Sequence, residues 1–348
     1  MWKINVFAAF LLAPFLGAAI LLSNLSAYAD DLLLPLKEVN PPMASVEAEM
    51  RALQENVGFI SQAIEEQKRV YEKQKRILEE LADKSKEQKE ISDEVYEQMI
   101  LERLGPPIAT HNSGRVGIKI FSLKELDYRG YIAKVKVFDP SAVKVILGED
   151  KWGESETTSK AVARTGAILG INGGGFYPVY QDGREYILPI GNTMIDGKFL
   201  NGFSPSHDDL FFAGLTKQGD LMGGVFNNKE NLMQLNPWQG VSFVPVLIRD
   251  RKPMNIPQKW QYEKQPRTII GEYGNGDLIL IVVDGRQSSW SRGVTLERLQ
   301  IKLIELGVID AYNLDGGGSS AFVYNGKVLN RPSDGRQRAV ATNIVVMP

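Results

Sequence analysis

The chain has 348 residues, of which 43% are hydrophobic and 9% aromatic, and its formal net charge is -2. That is ordinary globular composition, and without a basic excess there is no field to hold a nucleic-acid backbone, so nucleic acid is not expected as a partner. There is no cysteine, and the only histidines are His111 and His207; this excludes disulfides, thiol nucleophiles, cysteine-ligated zinc and an all-histidine zinc site, leaving carboxylates, arginines and backbone groups to do any chemistry.

Residues 1–29 read as a signal peptide or membrane anchor. One cation, Lys3, precedes an apolar run from Ile4 to Leu22, and Ala27-Tyr28-Ala29 has the small-residue pattern of a cleavage site. Either reading exports the rest of the chain, to be secreted or held at the cell envelope, and an uncleaved segment makes the membrane a partner. Residues 30–44 are a Pro-containing linker. From 45 to 104 the sequence reads as a helical, coiled-coil-like stalk: Val46, Met50, Leu53, Val57, Ile60 and Ile64 recur at alternating steps of four and three, a heptad seam that makes a homo-oligomer a candidate. Polar residues (Gln67, Gln74, Ser85) enter the same register further on, and Gly105-Pro106-Pro107 ends the helix.

Residues 105–348 switch to short strands with turn punctuation and one clear helix. "RTIIGEYGNGDLILIVVDG" reads as two strands joined at Gly274-Asn275-Gly276, and "AFVYNGKVL" as a hairpin turning at Asn325-Gly326. Thr295 to Leu306 reads as a helix with Leu296, Leu299, Leu303 and Leu306 on one face and Gly307 as its stop. The fold class predicted is α+β: a mixed twisted β-sheet domain with flanking helices, preceded by the signal or anchor segment and the long helix.

The candidate chemistry sits in glycine-rich loops after apolar strands. "YNLDGGGSSAF" lacks the lysine of a Walker loop and the closing glycine of a nucleophile elbow. What remains is a strand end presenting Asn313 and Asp315, then Gly316, Gly317 and Gly318, whose backbone N–H groups can approach an anionic or polyhydroxyl ligand closely, and Ser319 as a further donor. "GAILGINGGGFYPVY" repeats the design with Asn172, Gly173, Gly174 and Gly175, and Phe176 and Tyr177 beside it suit the apolar face of a sugar ring. "VVDGR" delivers Asp284 and Arg286 to another strand end, Arg267 opens a neighbouring strand, and Arg336 and Arg338 follow. Arginine suits a phosphodiester because its planar fork offers paired donors to two oxygens.

In order, "INGGGFY", "PRTIIG", "LILIVVDGR", "GVTLERL", "AYNLDGGGSSAF" and "NRPSDGRQRAVATNIVV" resemble the phosphodiester glycosidase family over residues 110–348. The resemblance implies a hydrolase of sugar-1-phosphodiesters, such as N-acetylglucosamine-1-phosphodiesters, that releases the sugar and leaves a phosphomonoester. Its substrate would be a sugar-phosphate glycopolymer or glycoconjugate, and bacterial relatives are often labelled as exopolysaccharide-related. This chain departs from the family in lacking the cysteines of its animal members and in the extra glycine of "INGGGFY". On this reading Asp315 or Asp284 is the catalytic carboxylate, acting at the anomeric carbon. Arg267, Arg286 and Arg338 hold the phosphate, Asn172 and Asn313 bind sugar hydroxyls, and Thr295 caps its helix or touches the phosphate. No cofactor is required. The alternatives are a silent glycopolymer-binding module, and a Mg²⁺- or Ca²⁺-dependent phosphodiesterase with Asp284, Asp315 and Asp334 as ligands.

Overall fold

The computed structural model describes residues 43–207 and 209–348. The expected signal or anchor segment and most of the expected linker lie outside the described residues. Among those described, no helix is long and apolar enough to cross a membrane. The chain divides into two units, residues 1–86 and 87–348.

In the first unit the described part belongs to helix α1 (Met43–Leu104), which starts two residues before the predicted stalk. Its seam residues Met50, Leu53, Val57, Ile60 and Ile64 are all exposed. The last turns of α1 belong to the second unit and are anchored there. Ile100 is buried in an apolar cluster that Tyr96, Leu101 and Leu104 also pack against. Glu97 pairs with Lys119 and with the buried Lys134, which also pairs with Asp277. A buried cation needs such partners to offset its desolvation.

The second unit is built on an eight-stranded sheet, in the order β1 (Ala109–Asn112), β2 (Val116–Lys124), β3 (Arg129–Val137), β16 (Leu278–Val283), β15 (Arg267–Tyr273), β17 (Val308–Leu314), β13 (Val246–Arg249) and β14 (Lys252–Pro253). A five-stranded sheet runs β19 (Lys327–Val328), β18 (Phe322–Tyr324), β5 (Leu169–Asn172), β20 (Thr342–Val346), β4 (Val143–Leu147). Another runs β11 (Leu221–Gly224), β10 (Phe211–Thr216), β12 (Pro237–Phe243), β8 (Met194–Ile195), β9 (Lys198–Phe199). The hairpin β6 (Phe176–Gln181) and β7 (Arg184–Pro189) forms a two-stranded sheet of its own. The remaining helices are α2 (Thr158–Thr165), α3 (Lys229–Met233) and α4 (Leu296–Glu305).

β16 is apolar throughout because both its faces are covered, as a central strand requires. Leu278, Leu280 and Val282 join a core shared with the two five-stranded sheets. Ile279, Ile281 and Val283 face the other way, into a cluster with Leu296, Leu299 and Leu303 of α4. α4 is the predicted helix: Thr295 Oγ accepts from Arg298 N as its N-cap, and Gly307 follows at φ 82. Both predicted hairpins are present, and the second turns through Asn325 (φ 48) and Gly326 (φ 71), the left-handed pair a tight two-residue turn needs.

The mixed sheet is a correction. All ladders among the described residues are antiparallel. Sequence neighbours such as β2 and β3 or β15 and β16 are joined by short turns, and antiparallel pairing is what a short turn permits.

Candidate active site

Antiparallel pairing decides where the site lies. β15 starts where its neighbours end: Arg267 sits opposite Val283, and Thr268 opposite Leu314. The first residue of β15 and the loops leaving β16 and β17 therefore meet at one edge of the large sheet. A cavity of about 290 Å³ opens there, lined by Arg267, Arg286, Arg338, Asp315 and the Gly316–Gly318 turn.

The three arginines are held differently. Arg267 is 5% exposed, and its guanidinium donates to two main-chain carbonyls, Val294 O at 3.3 Å and Glu263 O at 2.9 Å. Burial pushes its pKa down to about 10, against the favourable fields of Glu263 and Glu297, and it stays a cation at neutral pH. Arg286 adopts a left-handed backbone (φ 62) three residues past the end of β16 and donates through Nε to Gln265 Oε1 at 2.7 Å. That conformation is costly for a residue with a Cβ, and such strain gathers at functional sites. Among the described residues neither Arg267 nor Arg286 forms an ion pair, whereas Arg338 pairs with Asp334 at 3.0 Å. Two guanidinium groups therefore line the cavity without a direct ion pair, with the Glu263 carboxylate in the same lining.

The glycine turn fits beneath these side chains. A Cβ on Gly318 would lie 2.2 Å from both the Arg338 guanidinium and the Asp334 carboxylate, and one on Gly317 would lie 3.2 Å from Arg286. Only glycine lets the turn carry its amides and the arginines over it into one space.

Asp315 is half-buried in the cavity. Its main chain is fixed by two bonds: its N–H donates to Gly173 O at 3.2 Å, and its carbonyl accepts from Asn172 Nδ2 at 2.6 Å. Burial pushes the carboxyl pKa up to about 6, while the Ser319 hydroxyl, the Arg338 charge and the Gly316 N–H pull the other way. Ser319 Oγ faces this carboxyl without a well-aligned hydrogen bond. A carboxyl poised near 6 can exchange a proton close to neutral pH.

The other strand-end aspartate does not line this cavity. Asp284 is 2% exposed, and its carboxylate accepts from Trp290 Nε1 at 2.8 Å, Arg331 N at 2.9 Å and Asn330 Nδ2 at 3.1 Å. Burial raises its pKa and those three donors oppose the rise. Asn330 also donates to Ser320 O and accepts from Phe322 N. Asp284 thus ties the β16 end to the segment that runs on to Asp334 and Arg338. Trp290, with the Arg129 and Arg331 guanidiniums over its ring at 4.5 and 3.7 Å from the centroid, completes this latch.

Several of the expected substrate contacts are engaged within the protein. Asn172 Oδ1 accepts from Thr268 Oγ1 and Ala321 N, so its amide is spent on holding loops together. Gly173, Gly174 and Gly175 are buried, and a Cβ on them would strike Thr342, Ser242 and Phe243 respectively; their smallness serves close packing. Asn313 is buried and donates to Val244 O. Thr295 caps α4 and lines a different cavity, with Tyr128 and Arg298. Phe176 and Tyr177 open the β6–β7 hairpin and are not part of the cavity lining. Asp284, Asp315 and Asp334 form no metal cluster, nor does any other group of three His, Cys, Asp or Glu among the described residues.

Four lining residues lie outside the expected set: Phe243, Trp260, Glu263 and Gln265. Glu263 and Gln265 immediately precede a candidate site strand, which is a usable hint. Phe243 and Trp260, the aromatic wall, are brought in only by tertiary packing.

Comparison with known proteins places the chain in a family. The family model described as "Phosphodiester glycosidase" matches residues 165–347. The N-acetylglucosamine-1-phosphodiester alpha-N-acetylglucosaminidase of Bos taurus is 30% identical over 193 residues, 51% of this chain and 35% of its own length. The SPbeta prophage-derived uncharacterized protein YomE of Bacillus subtilis (strain 168) is 38% identical over 199 residues, 55% of this chain and 29% of its own. The chain thus spans between 29% and 47% of the length of the curated relatives it matches. Among solved structures, the zebrafish N-acetylglucosamine-1-phosphodiester alpha-N-acetylglucosaminidase catalytic domain, auto-inhibited by its pro-peptide, superposes with a TM-score of 0.56 at 25% identity. That match covers 70% of this chain and 87% of the zebrafish domain. The family model covers more than half of the sequence and includes the whole glycine turn and its arginines; the chain belongs to the phosphodiester glycosidase family.

Proposed function

We propose that this chain hydrolyses a sugar-1-phosphodiester at the bond between the anomeric carbon and the phosphate oxygen, in an exported glycopolymer or glycoconjugate of the cell envelope. The observation that carries the proposal is one cavity holding three arginines, a turn of glycine amides and the Asp315 carboxyl with its pKa near 6, in a chain of this family.

The parts divide the labour by charge. Arg267, Arg286 and Arg338, with the Gly316–Gly318 amides, bind the phosphodiester and stabilise the charge that grows on its bridging oxygen, a contribution of about 3–4 kcal/mol for each well-placed donor. Phe243 and Trp260 offer the apolar face on which a sugar ring stacks. Water supplies its oxygen to the anomeric carbon, the bond to the phosphate oxygen breaks with its electron pair leaving on phosphate, and ionised Asp315 takes the proton. A phosphate is already a weakly basic leaving group, so a second proton donor is dispensable. The reaction as proposed draws on no cofactor.

The test is an assay with an aryl or UDP N-acetylglucosamine-1-phosphodiester. Asp315→Asn is expected to lower kcat by about a hundredfold or more, with KM little changed, and the wild-type rate should fall as pH drops through about 6, where Asp315 protonates. Arg267→Ala is expected to raise KM and lower kcat together. Full activity in Asp315→Asn would remove the carboxylate from the mechanism.

A further inference from the structure

The seam of α1 is uncovered: Met50, Leu53, Val57, Ile60 and Ile64 are between 58% and 66% exposed. Their steps of three and four place them on one face of the helix, the spacing at which a second helix of the same period packs knobs into holes. The residues facing outward from that seam are charged and exposed, among them Glu65, Glu66, Arg69, Glu72 and Arg76. At about 60% exposure the five apolar side chains leave on the order of 500 Å² per helix, or about 1,000 Å² for a pair, the size at which specific interfaces begin.

We propose that residues 46–81 pair in parallel and in register with the same residues of a second copy of this chain. Gln67 and Gln74 choose this occupant. Both occupy the seam position that Leu53 and Ile60 hold earlier, and an amide buried in a seam needs a partner offering both a donor and an acceptor. A parallel, in-register copy sets Gln67 against Gln67 and Gln74 against Gln74, so each pair satisfies itself. An antiparallel copy would set them against the alternate seam positions, which from Met50 to Leu78 are apolar or aromatic. A dimer of this kind carries two catalytic units, and a substrate with repeating phosphodiesters can then be held at two points, which raises its apparent affinity without any new contact.

The absence of cysteine makes the test clean. In the full chain, Gln67→Cys places one thiol per copy in the seam, and Arg69→Cys places one on the outer face. Mild oxidation by copper phenanthroline, which takes two electrons while the two thiols lose their protons, is expected to convert Gln67→Cys to a disulfide dimer much faster than Arg69→Cys. Sedimentation should show a dimer for the parent chain and a monomer for the Ile60→Lys/Ile64→Lys variant. A monomeric parent chain, a dimer that survives the double lysine variant, or equal crosslinking at the two positions would overturn the proposal.

Discussion

Replacing Asp284 separates a latch from a reacting carboxylate. Asp284→Ala strips the acceptor from three donors, Trp290 Nε1, Arg331 N and Asn330 Nδ2, of which only Asn330 keeps another partner, Ser320 O. Each orphaned buried donor costs about 1–3 kcal/mol, and the sum, reduced where water reaches the loop, is about 3–5 kcal/mol of folding stability. Asp284→Asn keeps the shape but turns an N–H toward these donors, at a cost of about 1–3 kcal/mol. The assay is urea denaturation of both variants beside turnover measured well below their transitions. Loosening the segment that leads to Arg338 should raise KM for the phosphodiester in step with the lost stability. An Asp284→Ala protein as stable as the parent yet without turnover would refute the latch and return Asp284 to the chemistry.

Gly318→Ala drives a methyl into the Arg338 guanidinium and the Asp334 carboxylate; both are ends of side chains that can swing away, so the melting temperature should hold while kcat/KM falls about tenfold or more. Glu272 is buried against Leu221 N, and burial pushes its pKa up to about 7. Its folded pKa lies above the unfolded value, so the contribution of Glu272 to stability is fully present below about pH 4.5 and is lost as pH rises through about 7, a change on the order of 3 kcal/mol. Denaturation midpoints measured across this range should drop for the parent and stay flatter for Glu272→Gln; identical slopes would remove Glu272 as the cause.

Local chemistry explains what the sequence revealed of the fold. The Asn325-Gly326 turn, the Thr295 cap and the unbroken apolar run of β16 each encode their structure within a few residues. The glycine turn and its arginines come together because β16 and β17 flank the antiparallel β15 and so end at the edge where β15 starts. Asp284 and Asp315 look alike in sequence, each ending an apolar strand before glycine. They are told apart only by partners: Asp284 finds donors 6, 46 and 47 residues downstream, while Asp315 keeps its carboxyl toward a cavity. The asparagine loop packs against Ser242 and Thr342, and a glycine triplet that does so is indistinguishable in sequence from one that brings a backbone close to a ligand. Phe243 and Trp260 reach the site from a separate sheet and a separate loop, so nothing near them in the chain marks them.

The central claim is cleavage at the anomeric carbon, and the isotope content of the product phosphate tests it most directly. Hydrolysis of a sugar-1-phosphodiester in ¹⁸O-labelled water should give free sugar and a phosphomonoester of unshifted mass, because water's oxygen goes to carbon. A phosphomonoester carrying one ¹⁸O would place the attack on phosphorus and contradict the account.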